Sequence, residues 1–538
     1  MKLAELIISE ARERGVRHFF GIPGGGCPLD LMEYGRQMEV EFVSVAHEST
    51  AAIAAAYNGL SVDTAGLALS VKGVGAGNLV GGAVNAYFER VPVVCLCESS
   101  PSQVGNYELV QMCNHEGLFG SVIKYSGTLS PDNGPEMLQK AASLACDGRP
   151  GPVLLDLPSD LGDAECGPIM SACAAVRTMI PEKDGLTAGR EFLSKANKPA
   201  IIVGADVTRS NANKELLDFV ESIEGCVLST MDGRGVFPES HRRWAGVLTG
   251  NWVDHTVEME VFRRADSVLF VGVDAMMAHV PWNLSLPTCE LVARTDFTTF
   301  TSTPDLRVDG DLKVSLGEMA LTQTGFSEAE INEIDLAIRP HFDRPGNAQF
   351  AAQDIIEITK ELMPKNGVLF SETGVYVTML ERLWQVDNPT EYRGTSGGRT
   401  MGLTVPAIIG AKLAAPETPM IGLGADGSLL MRLGELETMA RTGVAVPLVI
   451  INDDSLGTMK WRQRARGMTE YKLGLQTVDY AQVARSCGLS GTTVDSPEAF
   501  RTELKNAIVA DVTTLIDCRI DAQAYQDSFG PTVGVFDG

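Results

Sequence analysis

Blocks of hydrophobic and polar residues alternate from Pro419 to Gly457, and this pattern predicts a strand–loop–helix–strand unit. Residues 419–423 and 446–451 are apolar runs with the length of buried strands. Between them, apolar residues recur at the spacing of one face of a single helix: Leu429, Leu430, Leu433, Leu436, Met439 and Ala440. Such a unit is typical of a parallel sheet, in which the polar loops after both strands lie at the same edge.

Similar blocks cover most of the chain and predict an α/β fold class. Short apolar runs alternate with helical patterns over residues 1–165, 185–330 and 350–538. The segment 325–350 is polar and acidic and contains two Arg-Pro pairs, which is typical of a linker. The sequence therefore predicts three consecutive α/β domains with parallel sheets.

Composition restricts the classes of partner and compartment that fit this chain. Its 538 residues include 69 acidic and 44 basic side chains, an excess that disfavours nucleic acid as a partner. Residues 1–12 predict an amphipathic helix rather than a signal peptide, and no apolar run has the length of a membrane span. The 11 cysteines show no zinc-type spacing, which indicates reduced thiols. We expect a cytoplasmic protein without a membrane or nucleic-acid partner.

The polar loops after the two strands contain a candidate metal site. Asp426 and Asp453 lie 27 positions apart, and neighbouring strands would bring both carboxylates to the carbonyl oxygen of Ser455. The N–H groups of Gly427 and Ser428 would open a helix at the same place. Oxygen ligands suit Mg²⁺, and N–H groups at a helix start suit a phosphate. The alternative is an Asp helix cap followed by an Asp-rich turn.

These two loops resemble the cofactor motif of thiamine diphosphate enzymes. The loop at 424–428, Gly-Ala-Asp-Gly-Ser, matches a motif that normally reads Gly-Asp-Gly-Ser, and the loop at 452–457, Asn-Asp-Asp-Ser-Leu-Gly, matches its end, which is normally Asn-Asn. Ala425 stands where Gly is usual, and Asp453 replaces the liganding Asn. Because Asp is also an oxygen ligand, metal binding is expected to remain. The resemblance implies thiamine diphosphate and Mg²⁺ as cofactors, with Leu456 and Gly457 part of the cofactor site.

The plan of the whole chain resembles the group that contains acetohydroxyacid synthases, 2-oxo acid decarboxylases and benzaldehyde lyase. This resemblance implies a pyrimidine-binding domain at 1–165, a middle domain at 185–330 and a diphosphate-binding domain at 350–538. In the resembling enzymes one cofactor bridges domains of two subunits. A homodimer or homotetramer is therefore expected.

Two segments carry residues that the resemblance places at the thiamine rings. Glu48, after a predicted strand, would exchange a proton with the aminopyrimidine ring; an acid near a helix start is the alternative. Met401, in a loop similar to the Gly-x-Met-Gly…Pro loop of the family, would support the bent cofactor, unless it is a core residue. The carbonyl oxygen of Arg399 would accept a hydrogen bond from the ring amino group, although the family usually has Gly at this position.

A third segment is the candidate for diphosphate binding. It occupies the place where backbone N–H groups of such enzymes hold the diphosphate, and its residues are Gly374, Val375 and Tyr376. A plain strand-to-helix turn is the alternative.

Candidates for substrate contact are spread over both ends of the chain: Gly25, Lys72, Gln111, His115 and Met459. The segment from Gln111 resembles the substrate-channel segment of the synthases, and His115 within it is either a proton relay or a surface or helix-face residue. Lys72 either binds a substrate carboxylate or lies on the surface. The resemblance puts Gly25 and Met459 at positions where decarboxylases keep proton-donating residues.

The missing proton donors favour a carboligase. The resemblance thus implies a lyase or transferase of the acetolactate synthase type, which acts on a 2-oxo acid through an enamine intermediate and passes the acyl unit to a carbonyl acceptor. Lys72, Lys460 or Arg462 could hold an acceptor carboxylate. A 2-oxo acid decarboxylase is the alternative. A flavin-dependent oxidase is a further alternative, but residues 273–279 differ from the flavin segment of the synthases, which argues against FAD. A binding protein on this scaffold would be expected to lack Glu48.

Overall fold

Three six-stranded sheets follow one another along the chain, and their strand pairs are parallel. The computed structural model describes residues 1–104, 107–167, 179–250, 256–279, 282, 284–298, 300 and 303–521. One sheet lies within each predicted domain range, and the α/β fold class is confirmed. The limits of the domains remain predictions.

The N-terminal sheet consists of β1 (His18–Gly21), β2 (Glu41–Ser44), β3 (Gly66–Ser70), β4 (Val93–Ser99), β5 (Ser126–Thr128) and β6 (Pro152–Pro158). Its helices are α1 (Leu3–Glu13), α2 (Cys27–Met38), α3 (Glu48–Leu60), α4 (Val74–Phe88), α5 (His115–Phe119) and α6 (Gly134–Cys146). The amphipathic helix predicted at the start of the chain is α1. The strand order β2-β1-β3-β4-β6-β5 brings the loops after β1, β3 and β4 to one edge.

The middle sheet consists of β7 (Pro199–Val203), β8 (Cys226–Ser229), β9 (Trp244–Val247), β10 (Ser267–Val271), β11 (Thr288–Val292) and β12 (Leu306–Asp309). Its helices are α7 (Lys183–Ser194), α8 (Asp206–Arg209), α9 (Asn213–Ile223), α10 (Val257–Phe262), α11 (Leu312–Met319) and α12 (Glu328–Ile338). The strand order is β12-β11-β10-β7-β8-β9, so the chain changes direction between β7 and β10.

Helix α12 corrects the expectation that residues 325–350 are a linker. Ser327 caps its N-terminus, and its side chain accepts the N–H of Glu330. Ile331, Ile334 and Ile338 are buried at helical spacing, and α12 contacts α10 and β9. The acidic composition of the segment concealed this apolar stripe, which is enough to hold a helix on the middle sheet.

The C-terminal sheet consists of β13 (Val368–Ser371), β14 (Tyr392–Arg393), β15 (Met420–Ala425), β16 (Pro447–Asn452), β17 (Ser490–Val494) and β18 (Thr514–Arg519), in the order β14-β13-β15-β16-β18-β17. Its helices are α13 (Ala352–Leu362), α14 (Val377–Leu383), α15 (Thr404–Ala414), α16 (Asp426–Leu430), α17 (Glu435–Arg441), α18 (Gly457–Ala465), α19 (Tyr480–Ser486) and α20 (Pro497–Ile508).

The single helix predicted between β15 and β16 is in fact two short helices, α16 and α17. Arg432, in the turn between them, points inward. Its Nε donates to the carbonyl oxygen of Gly402 at 3.0 Å, and a terminal nitrogen donates to Ser49 Oγ at 2.8 Å. These buried hydrogen bonds replace those of a continuous helix, which periodicity alone could not predict.

The N-terminal and C-terminal domains of the chain pack through α3 and α15. The contact is close, because a Cβ at Gly410 would come within 1.9 Å of the carbonyl oxygen of Ala54. Asn58 Nδ2 donates to the carbonyl oxygen of Gly410 at 2.9 Å. The alanine-rich sequence of α3 and the glycine of α15 therefore set the distance between the two domains. Within the described residues, no helix combines the length and apolar character that crossing a membrane requires.

Candidate active site

A cavity of about 400 Å³ lies at the carboxyl edge of the C-terminal sheet. Loops after β13, β15 and β16 line it, and Thr249 and His279 of the middle domain complete its wall. Fourteen of the residues singled out in the sequence line this cavity: Gly374, Val375, Tyr376, Arg399, Met401, Asp426, Gly427, Ser428, Asp453, Ser455, Leu456, Gly457, Met459 and Arg462. The structure thus brings these residues together, and their individual roles remain predictions.

Asp426 and Asp453 lie near each other because β15 and β16 are neighbours in parallel register. Asp426 Oδ1 accepts the N–H of Gly427 at 2.7 Å, and Asp453 Oδ1 accepts the N–H of Ser455 at 3.0 Å. Burial, followed by the charge of Asp453, raises the pKa of Asp426 to about 7. Burial also raises the pKa of Asp453. Both carboxylates are therefore costly to keep charged without a cation.

The donor set at this edge fits a magnesium ion. Oδ2 of Asp426 is buried and has no hydrogen-bond partner among the described residues. A divalent cation would give this oxygen a ligand bond and would remove the repulsion between the carboxylates. Clustered oxygen ligands are those that Mg²⁺ prefers. The residues present therefore suit the predicted ligands Asp426, Asp453 and Ser455.

The turn Gly374–Tyr376 connects β13 to α14 and faces the same cavity. The hydroxyl of Tyr376 lies 2.9 Å from the carbonyl oxygen of Glu372 and 3.0 Å from that of Leu423. The tyrosine therefore anchors the turn to the sheet with its side chain. The backbone of the turn, and not the tyrosine hydroxyl, is the part available to a phosphate.

Met401 contacts the loop that carries Asp426. Its Cε lies 3.7 Å from the position that a Cβ at Gly427 would take, and Leu456 Cδ2 lies 3.0 Å from that position. A Cβ at position 427 would therefore be tight against Leu456, whereas it would make an ordinary contact with Met401. Met401 is half-buried rather than a full core residue, because it faces the cavity.

Two buried acids that the sequence patterns did not indicate hold the cavity loops. Glu372 accepts the N–H of Thr404 and the N–H of Ala425, each at 3.2 Å, and burial raises its pKa to about 7. Glu89 accepts the N–H of Gly398 at 3.1 Å from the N-terminal domain. Glu372 follows a strand, which is a usable signal, whereas nothing near Glu89 in sequence indicates its partners.

Glu48 is the first residue of α3 and is 6% exposed. Asn78 Nδ2 donates to Glu48 Oε2 at 3.0 Å, and Oε1 lies 3.3 Å from the position that a Cβ at Gly75 would take. The helix is capped by His47, whose Nδ1 accepts the N–H of Ser49 at 3.1 Å. The carboxyl group of Glu48 is therefore not used as the helix cap.

His115 is 3% exposed, so the alternative of a surface histidine is wrong. Its Nε2 accepts the N–H of Gly73 at 3.1 Å, and its Nδ1 lies 2.8 Å from Asp156 Oδ1. With a backbone donor at Nε2, the neutral ring carries its proton on Nδ1 and donates it to Asp156. The thiol of Cys97 lies in the same cluster, but burial raises its pKa well above the ordinary value. We assign this cluster to positioning of the loop at Gly73.

The other N-terminal candidates lie on the edge formed by the loops after β1, β3 and β4. No atom lies within 4 Å of the position that a Cβ at Gly25 would take. Lys72 is half-buried beside Gly73. Gln111 is exposed, and its carbonyl oxygen lies 2.5 Å from the position of a Cβ at Gly73, which excludes a larger residue there. Glu98, which the sequence patterns did not indicate, lies beside the turn that contains Gly25, with its Oε2 3.2 Å from the position that a Cβ at Gly24 would take.

The candidates of the N-terminal domain and those of the C-terminal cavity do not line a common cavity within one chain. Among the described residues that line the cavity, all belong to the middle and C-terminal domains. Glu48 and the loops at Lys72 and His115 therefore face a different space from that of Asp426 and Asp453.

Ion pairs fill the crevice between β7 and β10 of the middle sheet. Arg149 Nε donates to Asp206 at 3.0 Å and a terminal nitrogen lies 3.4 Å from Asp274, while Arg90 donates to Asp274 at 2.7 Å. Both aspartates follow the carboxyl ends of these strands, where doubly wound sheets bind nucleotides. Two arginines of the N-terminal domain therefore occupy this crevice in the part of the chain that the structure describes.

Family comparisons match three parts of the chain. Residues 1–118 match "Thiamine pyrophosphate enzyme, N-terminal TPP binding domain", residues 186–337 match the central domain of this family, and residues 372–518 match its C-terminal TPP binding domain. The three matches contain most of the strands of the three sheets.

Individual proteins with similar sequences and structures cover nearly the whole chain. The acetolactate synthase isozyme 3 large subunit of Escherichia coli (strain K12) is 27% identical over 94% of this chain and 92% of that protein. The acetolactate synthase large subunit of Haemophilus influenzae is 26% identical over 96% and 94%. A solved Mycobacterium smegmatis structure, described as thiamin diphosphate-dependent, has a TM-score of 0.80 at 18% identity over 96% and 99%, a likeness that shows the fold alone. The chain belongs to the thiamine pyrophosphate enzyme family and is a thiamine diphosphate-dependent enzyme.

Proposed function

We propose that this enzyme is a Mg²⁺-dependent carboligase of the acetolactate synthase type, which transfers the acyl unit of a 2-oxo acid to a second carbonyl compound. Similarity to acetolactate synthase large subunits over 94% and 96% of the chain supports this proposal. The observation that carries it is the lack of a proton donor at Gly25 and Met459.

In this proposal the cavity of the C-terminal domain holds the diphosphate end of the cofactor. Asp426, Asp453 and the carbonyl oxygen of Ser455 bind the metal, and the turn Gly374–Tyr376 donates its N–H groups to the diphosphate. Bound thiamine diphosphate supplies cleavage of a bond beside a carbonyl group and temporary storage of the acyl unit. Met401 supports the rings through its contact with the Asp426 loop.

Proton delivery decides between aldehyde release and transfer. Met459 lines the cavity and its thioether has no proton to give. His279 also lines it, but burial, Arg399 and Arg462 lower its pKa to about 4, so the ring is neutral at pH 7. A general acid contributes about 10²–10⁴ in rate, so the lack of one at positions 25 and 459 leaves time for a second carbonyl compound to react.

A second subunit completes the site in this proposal. Glu48 does not line the cavity of its own chain, and the edge that carries it exposes apolar side chains at Val74, Tyr107 and Val110. Exposed apolar groups beside a polar site indicate a covered surface. Glu48 of one chain would then serve the cavity of its partner in a homodimer or homotetramer.

The test uses purified protein with thiamine diphosphate, Mg²⁺ and a series of 2-oxo acids, with carbon dioxide and coupled product measured together. We expect carboligation product to exceed free aldehyde for an accepted acid. Mostly free aldehyde, unchanged by added acceptor, would support the 2-oxo acid decarboxylase instead.

Flavin is not part of the proposed reaction. The ion pairs of Arg149 and Arg90 with the middle-domain aspartates support this part of the proposal. The absorption spectrum of the purified protein should lack a flavin band at about 450 nm. A flavin band of one flavin per chain would instead support the flavin-dependent oxidase.

A further inference from the structure

Arg399 places a guanidinium group at the cavity from a backbone conformation that favours glycine. Its φ angle is 43°, in the left-handed region that a glycine adopts without strain. The residue lines the cavity next to Met401. Backbone strain of this kind often occurs at functional sites, so the contacts of the Arg399 side chain are of interest.

The contacts of the guanidinium group fix its orientation and leave it able to bind a ligand. A terminal nitrogen donates to Nε2 of His279 at 3.0 Å, and the other lies 3.6 Å from Oε1 of Glu381. Nε is buried and has no hydrogen-bond partner within the described part of the chain. A guanidinium carries five N–H donors, so these contacts do not exhaust it.

His279 orients Arg399 and adds no charge. Its pKa is lowered to about 4 by burial and by the charges of Arg399 and Arg462. The neutral ring therefore accepts from Arg399 through Nε2. Arg462 lines the same cavity and also lowers the pKa of His279, so two guanidinium groups of the C-terminal domain lie near this neutral histidine.

We propose that Arg399, oriented by His279, binds an acidic group that the substrate keeps through the reaction. This inference rests on the proposed function. A cation that held the departing carboxylate would stabilise the bound acid and lose its partner as carbon dioxide leaves, which opposes the reaction. A carboxylate that remains keeps its ion pair in the transition state.

The retained acid group belongs either to the donor or to the acceptor. As a donor, the substrate is a 2-oxo acid with a second acidic group; as an acceptor, it is a carbonyl compound that carries a carboxylate. Both present the planar group that a guanidinium binds with paired hydrogen bonds.

The experiment compares wild type with Arg399→Gly and Arg399→Lys in two arms. The donor arm compares 2-oxoglutarate with 2-oxopentanoate at a fixed neutral acceptor. The acceptor arm compares glyoxylate with acetaldehyde at fixed pyruvate. We expect Arg399→Gly to reduce the ratio of kcat/KM for the acidic member to kcat/KM for the neutral member of one pair by about 10- to 100-fold, mainly through the KM of the acidic member. Arg399→Lys should retain part of the preference, because it keeps the charge.

Glycine relieves the backbone strain, so Arg399→Gly is expected to fold. Arg464→Gln is the matched control, because Arg464 lies on α18 with Arg462 but bonds to Glu470 and does not line the cavity. Calorimetric titration of thiamine diphosphate with Mg²⁺ gives a readout apart from turnover. An unchanged preference in both arms, or a cofactor Kd that rises in parallel with the loss of activity, would overturn the inference.

Binding of glutarate separates this inference from the proposed function. If no 2-oxo acid is turned over by wild type, the proposed function fails, and glutarate is titrated into the protein loaded with thiamine diphosphate and Mg²⁺. Binding to wild type that is lost in Arg399→Gly supports the acid site. Absence of binding, or equal binding to both proteins, contradicts it.

Discussion

Glu89 accepts the backbone N–H of Ser396 at 2.7 Å, across 307 positions of sequence. The same carboxylate accepts the hydroxyl of Thr395 at 3.0 Å and the N–H of Gly398 at 3.1 Å. Asn85, one turn earlier on α4, donates to Thr400 Oγ1 at 2.9 Å. The loop that carries Arg399 and Met401 is therefore held by the N-terminal domain of its own chain.

The hydrogen bonds that Glu89 accepts from this loop predict that Glu89→Gln destabilises the protein. The amide keeps one acceptor oxygen, so buried donors lose partners, and we expect the free energy of unfolding to fall by about 2–4 kcal/mol. The cofactor Kd should rise as the loop loosens. Urea denaturation and cofactor titration measure the two effects. The control is Glu437→Gln, in an exposed ion pair with Arg441, which should change the free energy of unfolding by less than about 0.5 kcal/mol. Equal effects in both variants would contradict a stabilising role of the Glu89 hydrogen bonds.

Sites shared between subunits predict complementation between two inactive variants. Glu48→Gln and Asp426→Ala should each lose activity alone. When both chains are mixed after refolding or coexpression, half of the dimers contain one intact site, and activity should return to about a quarter of wild type.

If Glu48 and Asp426 of the same chain formed one site, no mixed dimer would be active. The control mixes Glu48→Gln with wild type, which distinguishes restored sites from simple dilution. Analytical ultracentrifugation of the same samples reports the dimer. An active monomer of the full chain would also contradict the shared site.

The metal site predicts opposite outcomes for its two acids. Asp426→Ala should abolish retention of thiamine diphosphate, because the diphosphate would face Asp453 without a bridging cation. Asp453→Asn should retain the cofactor, since an amide oxygen is still a ligand and one buried negative charge is removed. Titration of cofactor with and without Mg²⁺ measures both. Loss in Asp453→Asn together with retention in Asp426→Ala would show that the metal site is wrong.

Glu258 predicts a pH dependence of stability. Burial raises its folded-state pKa from 4.5 to about 7, although Thr249 Oγ1 donates to it at 2.5 Å. The folded state therefore binds the proton more tightly than the unfolded state. As pH rises from about 4.5 to 7, this group should lower the free energy of unfolding by about 3 kcal/mol.

The check compares wild type with Glu258→Gln in urea between pH 5 and pH 8. The difference in stability between the two proteins should change with pH in favour of the variant, because glutamine does not titrate. A difference that stays constant over this range would show that Glu258 keeps an ordinary pKa.

Local patterns determined the sheets and the C-terminal cavity. The central strands β15 and β16 are largely apolar runs, and in a parallel sheet the polar residues directly after them must lie at one edge. The runs before Asp426 and Asp453 therefore placed both acids correctly as neighbours, and the motif that follows placed Leu456 and Gly457 with them.

Contacts distant in sequence were decided only by the tertiary structure. The hydrogen bonds of Glu89 with Ser396 and of Arg432 with Ser49 form because α3 and α4 pack against the C-terminal domain. Arg432 therefore lies in a turn and not in the predicted continuous helix. The sequence left His115 as either a proton relay or a surface or helix-face residue, and only the structure shows that its ring nitrogens have partners at Gly73 and Asp156. Hydrogen bonds of this kind form between single residues and leave no periodic trace in sequence, whereas burial of a strand or helix repeats at every second or every third to fourth position.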